Sequence, residues 1–173
     1  MTGTTCVFIV MGVAGAGKST VASGLAAHFG AAFLEGDDFH PPANVEKMAR
    51  GEPLNDADRG PWIDALAAAI SHAPETLVFA SCSALTPAVR ARLRQKNGRR
   101  TEFLFLDAPE AAIQKRLENR QGHFMKARML RSQFETLRPP DEAIVVNAAL
   151  EPEAVLEAAI AGVEAALKDA DGV

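Results

Sequence analysis

Five short apolar segments recur along the chain and predict the strands of a sheet. They are runs of mostly hydrophobic residues, such as CVFIVM and FLFL, with no polar alternation. A strand that is apolar at successive positions is typical of a parallel sheet that is buried on both faces. The five predicted strands are residues 6–11, 32–35, 77–82, 103–106 and 144–146.

Helical periodicity fills most of the intervals between these strands. Val21, Leu25 and Phe29 recur every four residues, and Gly30 after them is a helix stop signal. Strands that alternate with amphipathic helices predict an α/β fold with three layers, in which helices cover both faces of a five-stranded parallel sheet. The crossovers between its strands should be right-handed. One polar, proline-containing region, residues 37–61, interrupts this pattern; it holds a short predicted helix near 44–50, and Trp62 marks the next helix.

Length and composition agree with a single soluble domain over residues 1–173. The chain is 48% apolar and 23% charged, which is average for a globular protein. No apolar run approaches the roughly 20 residues of a membrane span, and the N-terminus lacks the features of a signal peptide. We therefore expect a cytoplasmic protein with no membrane partner. Cys6 and Cys82 lie in predicted strands, so buried free thiols are expected rather than a zinc site.

Positive charge is concentrated in one part of an acidic chain. The net charge is −4, yet residues 86–138 hold 13 of the 18 Lys and Arg and only 5 of the 22 Asp and Glu. Such a block is either a set of solvated helix faces or a surface that holds polyphosphate. Nucleic acid is not the expected partner, because the block lacks interleaved aromatic residues suited to base stacking.

A complete phosphate-binding motif follows the first predicted strand. GVAGAGKS fits G-x-x-x-x-G-K-[ST], and it lies between a buried strand and a helix, as a P-loop does. Backbone N–H groups there would surround phosphate oxygens, Lys18 would reach the β- and γ-phosphates, and the Ser19 hydroxyl would ligate Mg²⁺. The alternative is a chance glycine-rich turn. ATP is favoured over GTP because the chain has no Asn-Lys-x-Asp motif. The predicted nucleotide-binding residues are Gly12, Val13, Ala14, Gly15, Ala16, Gly17, Lys18, Ser19 and Thr20.

Two carboxylates follow the second predicted strand. Ligands of open α/β sheets lie beyond the carboxyl ends of the strands, so Asp37 and Asp38 should face the P-loop. A carboxylate there could accept the proton of an acceptor hydroxyl or help to hold Mg²⁺ through water. From the residues alone, the two could equally be turn formers before a helix.

Several longer blocks resemble the bacterial gluconate kinases, the short P-loop gluconokinases. They are MGVAGAGKS, EGDDFHPPANVEKMARGEPLNDADRGPW, CSAL and RQGHFMKARMLRSQFETL, within about residues 6–147. The resemblance implies transfer of phosphate from ATP to D-gluconate, a P-loop kinase fold with a mobile helical lid, and a homodimer. The chain departs from the family after CSAL, where residues 86–89 are TPAV instead of a segment with basic residues and a Tyr.

The resemblance also implies roles for three residues of the acceptor-binding segment, residues 37–61. Asp37 matches the family carboxylate and would orient the 6-hydroxyl of gluconate, whereas Asp38 would be a turn residue. His40 would hydrogen-bond the sugar acid, with helix capping or packing as the alternative. Arg59 would bind the carboxylate of the acceptor; a salt bridge to a nearby Asp is its alternative.

A second set of expected residues surrounds the lid, residues 121–131. Arg116 and Arg120 are four residues apart on one predicted helix, so both side chains should project to the same side. Their positive charge would stabilise the transferring phosphoryl group, unless they pair with exposed Glu residues. His123 would reach the acceptor when the lid closes. The predicted catalytic residues are thus Lys18, Asp37, Arg116 and Arg120.

Other functions fit parts of this pattern. A related P-loop kinase could act on another sugar acid, on shikimate or on a nucleoside monophosphate. A nucleotide-binding regulator would bind ATP without turnover. The combination of Asp37 with the two arginines favours a kinase.

Overall fold

The structure, a computed structural model, describes residues 5–119 and 123–171. Within these residues, five parallel strands lie between two layers of helices. The strands are β1 (Cys6–Met11), β2 (Ala32–Glu35), β3 (Leu77–Ser81), β4 (Arg100–Asp107) and β5 (Ile144–Asn147). The helices are α1 (Lys18–Phe29), α2 (Pro42–Ala49), α3 (Asp56–His72), α4 (Pro87–Asn97), α5 (Glu110–Glu118), α6 (His123–Thr136) and α7 (Pro152–Asp171), with a 3₁₀ helix at Gly36–Phe39.

The sheet has the strand order β2-β3-β1-β4-β5, and every pair is parallel. β1 lies in the centre, with β3 on one side and β4 on the other. The loops after these strands therefore meet at one edge of the sheet, where α/β proteins bind ligands. The predicted three-layer fold with a five-stranded parallel sheet is confirmed.

The apolar sequence of β1 is explained by two hydrophobic cores, one on each face of the sheet. Phe8 and Val10 pack in one core with residues of α1, α5 and α7. Val7, Ile9 and Met11 pack in the other core with residues of α3 and α4. All six residues of β1 are buried, so the strand has no solvent face that polar residues could occupy.

α3 begins earlier than the apolar pattern predicts. Trp62 marks the predicted start, but the helix begins at Asp56 and contains Pro61. A capping box explains this start: the Asn55 side chain accepts a hydrogen bond from the Asp58 N–H at 2.9 Å, and the Asp58 carboxylate accepts from the Asn55 N–H at 2.8 Å. The helix tolerates Pro61 near its start, at the loss of one backbone donor.

Both cysteines are free and buried, as predicted from their place in apolar strands. Burial raises the pKa of Cys82 to about 12, so its thiol stays protonated. Across residues 5–119 and 123–171, no cluster of three His, Cys, Asp or Glu side chains could hold a metal ion. None of the helices in that part of the chain combines the length and the apolar character that crossing a membrane requires.

Candidate active site

A cleft of about 720 Å³ opens at the carboxyl ends of β1, β2 and β3. One wall is the P-loop and the start of α1. A second wall is formed by the acceptor-binding segment and α3, and residues of α6 form a third. Ser83 and Leu85, which follow β3, complete the lining.

The P-loop connects β1 to α1 in a conformation that depends on glycine. Gly15 and Gly17 have φ angles of 79° and 96°, which side chains rarely permit. A Cβ atom on Gly15 would lie 3.2 Å or less from the side chains of Ile113 and Leu117, so α5 packs directly against the loop. The loop is thereby held in place from below by the hydrophobic core.

Six of the nine predicted nucleotide-binding residues line the cleft. The other three, Gly12, Val13 and Ala16, belong to the loop but are buried and do not line the cleft. Gly12 donates its N–H to the carbonyl oxygen of Ser83 at 3.3 Å, which joins the P-loop to the segment after β3. The lining residues are Ala14, Gly15, Gly17, Lys18, Ser19 and Thr20.

Lys18 is folded back onto its own loop. Its Nζ donates a hydrogen bond to the carbonyl oxygen of Val13 at 3.0 Å. Burial lowers the pKa of Lys18, and the negative charge of Asp37 opposes that change. The cleft thus holds a lysine whose ammonium group is poorly solvated and is close enough to Asp37 to interact with it.

Gly36 fixes the position of Asp37. Its N–H donates to Ser81 Oγ at 3.1 Å, and its carbonyl oxygen accepts from Trp62 Nε1 at 2.8 Å. A Cβ atom on Gly36 would lie 1.9 Å from the carbonyl oxygen of Ser81. The end of β2 therefore approaches β3 so closely that only glycine fits.

The chain forms a 3₁₀ helix from Gly36 to Phe39. Asp37 and Asp38 are both exposed to solvent, but Asp37 lines the cleft and Asp38 lies outside its lining. The interaction of Asp37 with the His40 ring is the largest cause of its lowered pKa, and the positive charge of Lys18 lowers that pKa further. Asp37 is thus held as a carboxylate that faces the P-loop.

His40 lies on the wall of the cleft beneath Asp37. Its ring stacks on Trp62 with centroids 4.0 Å apart and planes 19° apart, and its side chain is 4% exposed. Nε2 lies 3.7 Å from Asp37 Oδ1. Trp62 itself is 3% exposed and belongs to the core. The contacts of His40 within the protein agree with the packing alternative, although its ring also borders the cleft.

Arg59 makes the predicted salt bridge and also lines the cleft. Its Nη1 donates to Asp56 Oδ1 at 2.9 Å, and the residue also lines the cleft. Asp56 is 86% exposed, so this ion pair is weak and the guanidinium can exchange it for a ligand carboxylate. Lys47, by contrast, pairs with Asp58 at 2.6 Å and lies outside the cleft lining.

α6 supplies side chains that the sequence reasoning did not assign. Arg128, Arg131 and Gln133 line the cleft, and Gln133 Oε1 accepts a hydrogen bond from the Ala14 N–H at 2.6 Å. The side-chain amide oxygen thus occupies a P-loop donor that a phosphate oxygen could use. The spacing of three between Arg128 and Arg131 on one helix was the available signal.

The buried Arg90 organises the segment after β3. It is 6% exposed and donates to the carbonyl oxygens of Ala84, at 2.8 Å, and Arg138, at 2.9 Å. Ala84 has a φ angle of 45°, and the Arg138 N–H donates to the carbonyl oxygen of Leu85 at 2.9 Å. Arg90 therefore fixes the end of α6 against the cleft-lining segment.

The structure describes only some of the residues predicted to act at the lid. Arg116 donates to the carbonyl oxygens of Ala148 and Leu150 and is absent from the cleft lining of the described residues, so its catalytic role stays a prediction. Arg120 lies outside the described residues, and His123 is described only as the first residue of α6. Within the predicted lid, residues 123–131 belong to this helix.

Comparisons with known proteins agree with this geometry. A family model described as an AAA domain matches residues 7–140. The thermoresistant gluconokinase of Escherichia coli strain K12 is 47% identical over 136 residues, which are 78% of this chain and 77% of that protein. The gluconokinase of Gluconobacter oxydans strain 621H is 44% identical over 156 residues, 86% of each chain. The crystal structure of a gluconokinase from Sinorhizobium meliloti 1021 has a TM-score of 0.87 and 37% identity, and the match covers 95% of both chains.

Proposed function

Because the chain belongs to the gluconokinase family, we propose that it transfers the γ-phosphoryl group of ATP to the 6-hydroxyl of D-gluconate. The products are 6-phosphogluconate and ADP. One observation carries the proposal beyond family membership: a single cleft brings a complete P-loop to within reach of Asp37 and Arg59. A phosphate donor and an anionic alcohol can therefore bind side by side.

The P-loop binds and orients the donor. Its inward N–H groups and the N-terminus of α1 stabilise the phosphate charge. Lys18 exchanges the Val13 carbonyl oxygen for oxygens of the β- and γ-phosphates, which are stronger partners for an ammonium group. Since burial has already removed much of its water, Lys18 loses little solvation when it makes this exchange.

Asp37 and Arg59 bind the acceptor. The Asp37 carboxylate accepts a hydrogen bond from the 6-hydroxyl, aligns its oxygen with the γ-phosphorus and takes its proton as the new P–O bond forms. Asp37 is ionised at neutral pH even at the ordinary pKa of a carboxyl, and its lowered pKa favours alignment of the hydroxyl over a strong pull on its proton. Arg59 binds the carboxylate at the other end of gluconate.

α6 closes the cleft over both substrates. Arg128 and Arg131 bring positive charge to the transferring group, and we extend this role to the predicted Arg116, Arg120 and His123 once residues 121–131 move as a lid. Exclusion of water by this closure prevents hydrolysis of ATP. Hydrogen exchange would test the lid: residues 121–131 should exchange more slowly with ATP and gluconate than without, and equal rates would contradict closure.

The residues of the cleft fit Mg²⁺ bound together with ATP. Mg²⁺ in kinases takes one or two protein oxygens plus phosphates and water, so it needs no dedicated cluster. The Ser19 hydroxyl would hold it, and Asp37, which also lines the cleft, would act through water. When bound, Mg²⁺ supplies positive charge that offsets the charge of the β- and γ-phosphates.

An acceptor panel tests the proposed function. Release of ADP should depend on D-gluconate and be far slower with other sugar acids, shikimate or nucleoside monophosphates. A preference for another acceptor would replace gluconate while retaining the kinase reaction. Tight binding of ATP with no acceptor-dependent release of ADP would instead indicate a regulator.

We further propose that the protein is a cytoplasmic homodimer that binds no nucleic acid. The support is the family resemblance, together with exposed apolar residues at Val145 and Leu150 that a second subunit could cover. Light scattering on the purified protein should give twice the mass of one chain. A monomer at all concentrations would overturn the dimer.

A further inference from the structure

Asn44 is a buried polar residue next to the cleft that the reaction described above does not use. It lies on α2 with an exposure of 4% and does not line the cleft. Its Nδ2 donates to the carbonyl oxygen of Asp58 at 2.9 Å and lies 3.3 Å from His40 Nδ1. Asn44 therefore connects α3 to the histidine that faces Asp37.

The partners of Asn44 determine which way its amide points. The carbonyl oxygen of Asp58 can only accept a hydrogen bond, so the amide nitrogen, not the amide oxygen, must face it. The second hydrogen on the same nitrogen then points to His40 Nδ1, which must accept it. In the neutral ring, the proton is consequently carried by Nε2.

That proton faces the Asp37 carboxylate. Nε2 lies 3.7 Å from Asp37 Oδ1, and the contact of Nδ1 with Asn44 and the stacking of the ring on Trp62 at 4.0 Å together hold the ring in this orientation. Trp62 is in turn hydrogen-bonded to Gly36, the residue that precedes Asp37. The His40 ring is thus held in place by its neighbours, next to an Asp37 side chain that is itself 78% exposed.

We propose that Asn44 is a positioning residue, which sets the tautomer of His40 so that Nε2–H is directed at Asp37. Asn44 then acts on the reaction only through His40, and His40 acts through Asp37. The kinetic consequence rests on the proposed function, because it takes Asp37 as the acceptor-side carboxylate. The tautomer itself is a property of the free protein and does not depend on any substrate.

Nitrogen NMR of the histidine side chains tests the tautomer directly. The chain has four histidines, and the signal lost in His40→Leu identifies His40. In the wild type at a pH where the ring is neutral, His40 should show a protonated Nε2 and an unprotonated Nδ1. Asn44→Leu, which has a similar size, should give a mixture of both tautomers. A wild-type ring with Nδ1 protonated, or no change in Asn44→Leu, would overturn the proposal.

Kinetics test whether the tautomer matters. Asn44→Leu should lower kcat about tenfold, the equivalent of one hydrogen bond to a charged group, with little change in the KM for ATP. In a His40→Leu background, Asn44→Leu should add nothing, since its effect passes through His40. Full additivity of the two substitutions would overturn the positioning role.

A matched control separates this role from simple support of α2. Lys47→Met removes a second side-chain link between α2 and α3, the ion pair with Asp58, without touching His40. It should leave both the tautomer and kcat unchanged, and an equal loss of kcat in Lys47→Met would favour a merely structural role for Asn44. Absence of gluconate turnover in the wild type would instead reject the proposed function, while the NMR result would still decide the tautomer.

Discussion

The P-loop and the acceptor-binding segment form facing walls of one cleft, but they are built by different means. The P-loop is contiguous, and its function depends on the backbone conformation of a few residues between β1 and α1. The acceptor wall depends on side chains far apart in the sequence: Asp37 is positioned through Gly36 by Ser81 and Trp62. A local motif can therefore specify the first wall, whereas only the tertiary structure assembles the second.

The largest effect should come from the P-loop wall. Lys18→Ala removes the one cation that is attached to the loop itself, and we expect at least a ~10³-fold loss of kcat, at the upper end for a single charge-stabilising donor. The fold should persist, because the Lys18 side chain makes a single hydrogen bond to the described residues, to the Val13 carbonyl oxygen. Steady-state kinetics and thermal unfolding would measure both quantities. A folded variant with nearly normal turnover would refute the phosphate-site assignment.

The acceptor wall should show a smaller effect that is restricted to one of two neighbouring carboxylates. Asp37→Asn keeps the shape but removes the charge that aligns the hydroxyl, and should lower kcat by about 10²-fold. This lies at the low end for a general base, because phosphoryl transfer depends more on positioning than on proton transfer. Binding of ATP, measured by calorimetry, should survive.

Asp38→Asn is the matched control for that variant. Asp38 has the same side chain and is adjacent in sequence, but it is exposed outside the cleft. Its kcat should stay within about twofold of the wild type, as for most surface substitutions. If Asp38→Asn were the impaired variant, the assignment of the two carboxylates would be reversed.

The same contrast explains how much the sequence could reveal. The fold and the phosphate loop follow from local patterns, since an apolar strand, a glycine motif and a helix are contiguous. The hydrogen bond from Ala14 to Gln133 spans 119 residues and has no local signature. Asp37 was identified through family resemblance, since the residues alone did not distinguish it from Asp38, and the 3₁₀ helix on which both lie has no clear local signature.

Substitution of Gly36 should affect stability and activity together. Gly36→Ala places a Cβ atom where the carbonyl oxygen of Ser81 lies, so the end of β2 must move and Asp37 must move with it. Relief of such overpacking costs about 1–3 kcal/mol. We expect a lower midpoint of thermal unfolding and a lower kcat, with ATP binding nearly intact because the P-loop is unaffected.

Gly60→Ala is the control for the Gly36 variant. Gly60 lies within α3, and the nearest atoms to its added Cβ belong to the flexible Arg92 side chain at 3.7 Å. Alanine there should change stability by less than ~1 kcal/mol, because its higher helix propensity is offset by crowding of its Cβ against the ring of Pro61. Equal destabilisation by both substitutions would show that close approach to Ser81 is not the cause.

The smallest effect concerns pH and isolates the contribution of His40 to the acceptor wall. Interaction with His40 is the largest cause of the lowered pKa of Asp37. A carboxyl whose pKa is lower in the folded than in the unfolded state stabilises the fold at pH values above its unfolded pKa. This stabilisation is lost as the pH falls through the folded pKa. His40→Leu should therefore raise the pKa of Asp37, so the acid limb of kcat/KM should shift to higher pH.

His28→Leu is the matched control, because His28 is exposed at the end of α1 and contacts Phe29 rather than the cleft. An acid limb that stays in place in His40→Leu, or that shifts equally in His28→Leu, would contradict this role of His40. Lys18 and the P-loop alone would then lower the pKa of Asp37. The two walls would in that case be coupled more directly than their separate construction suggests.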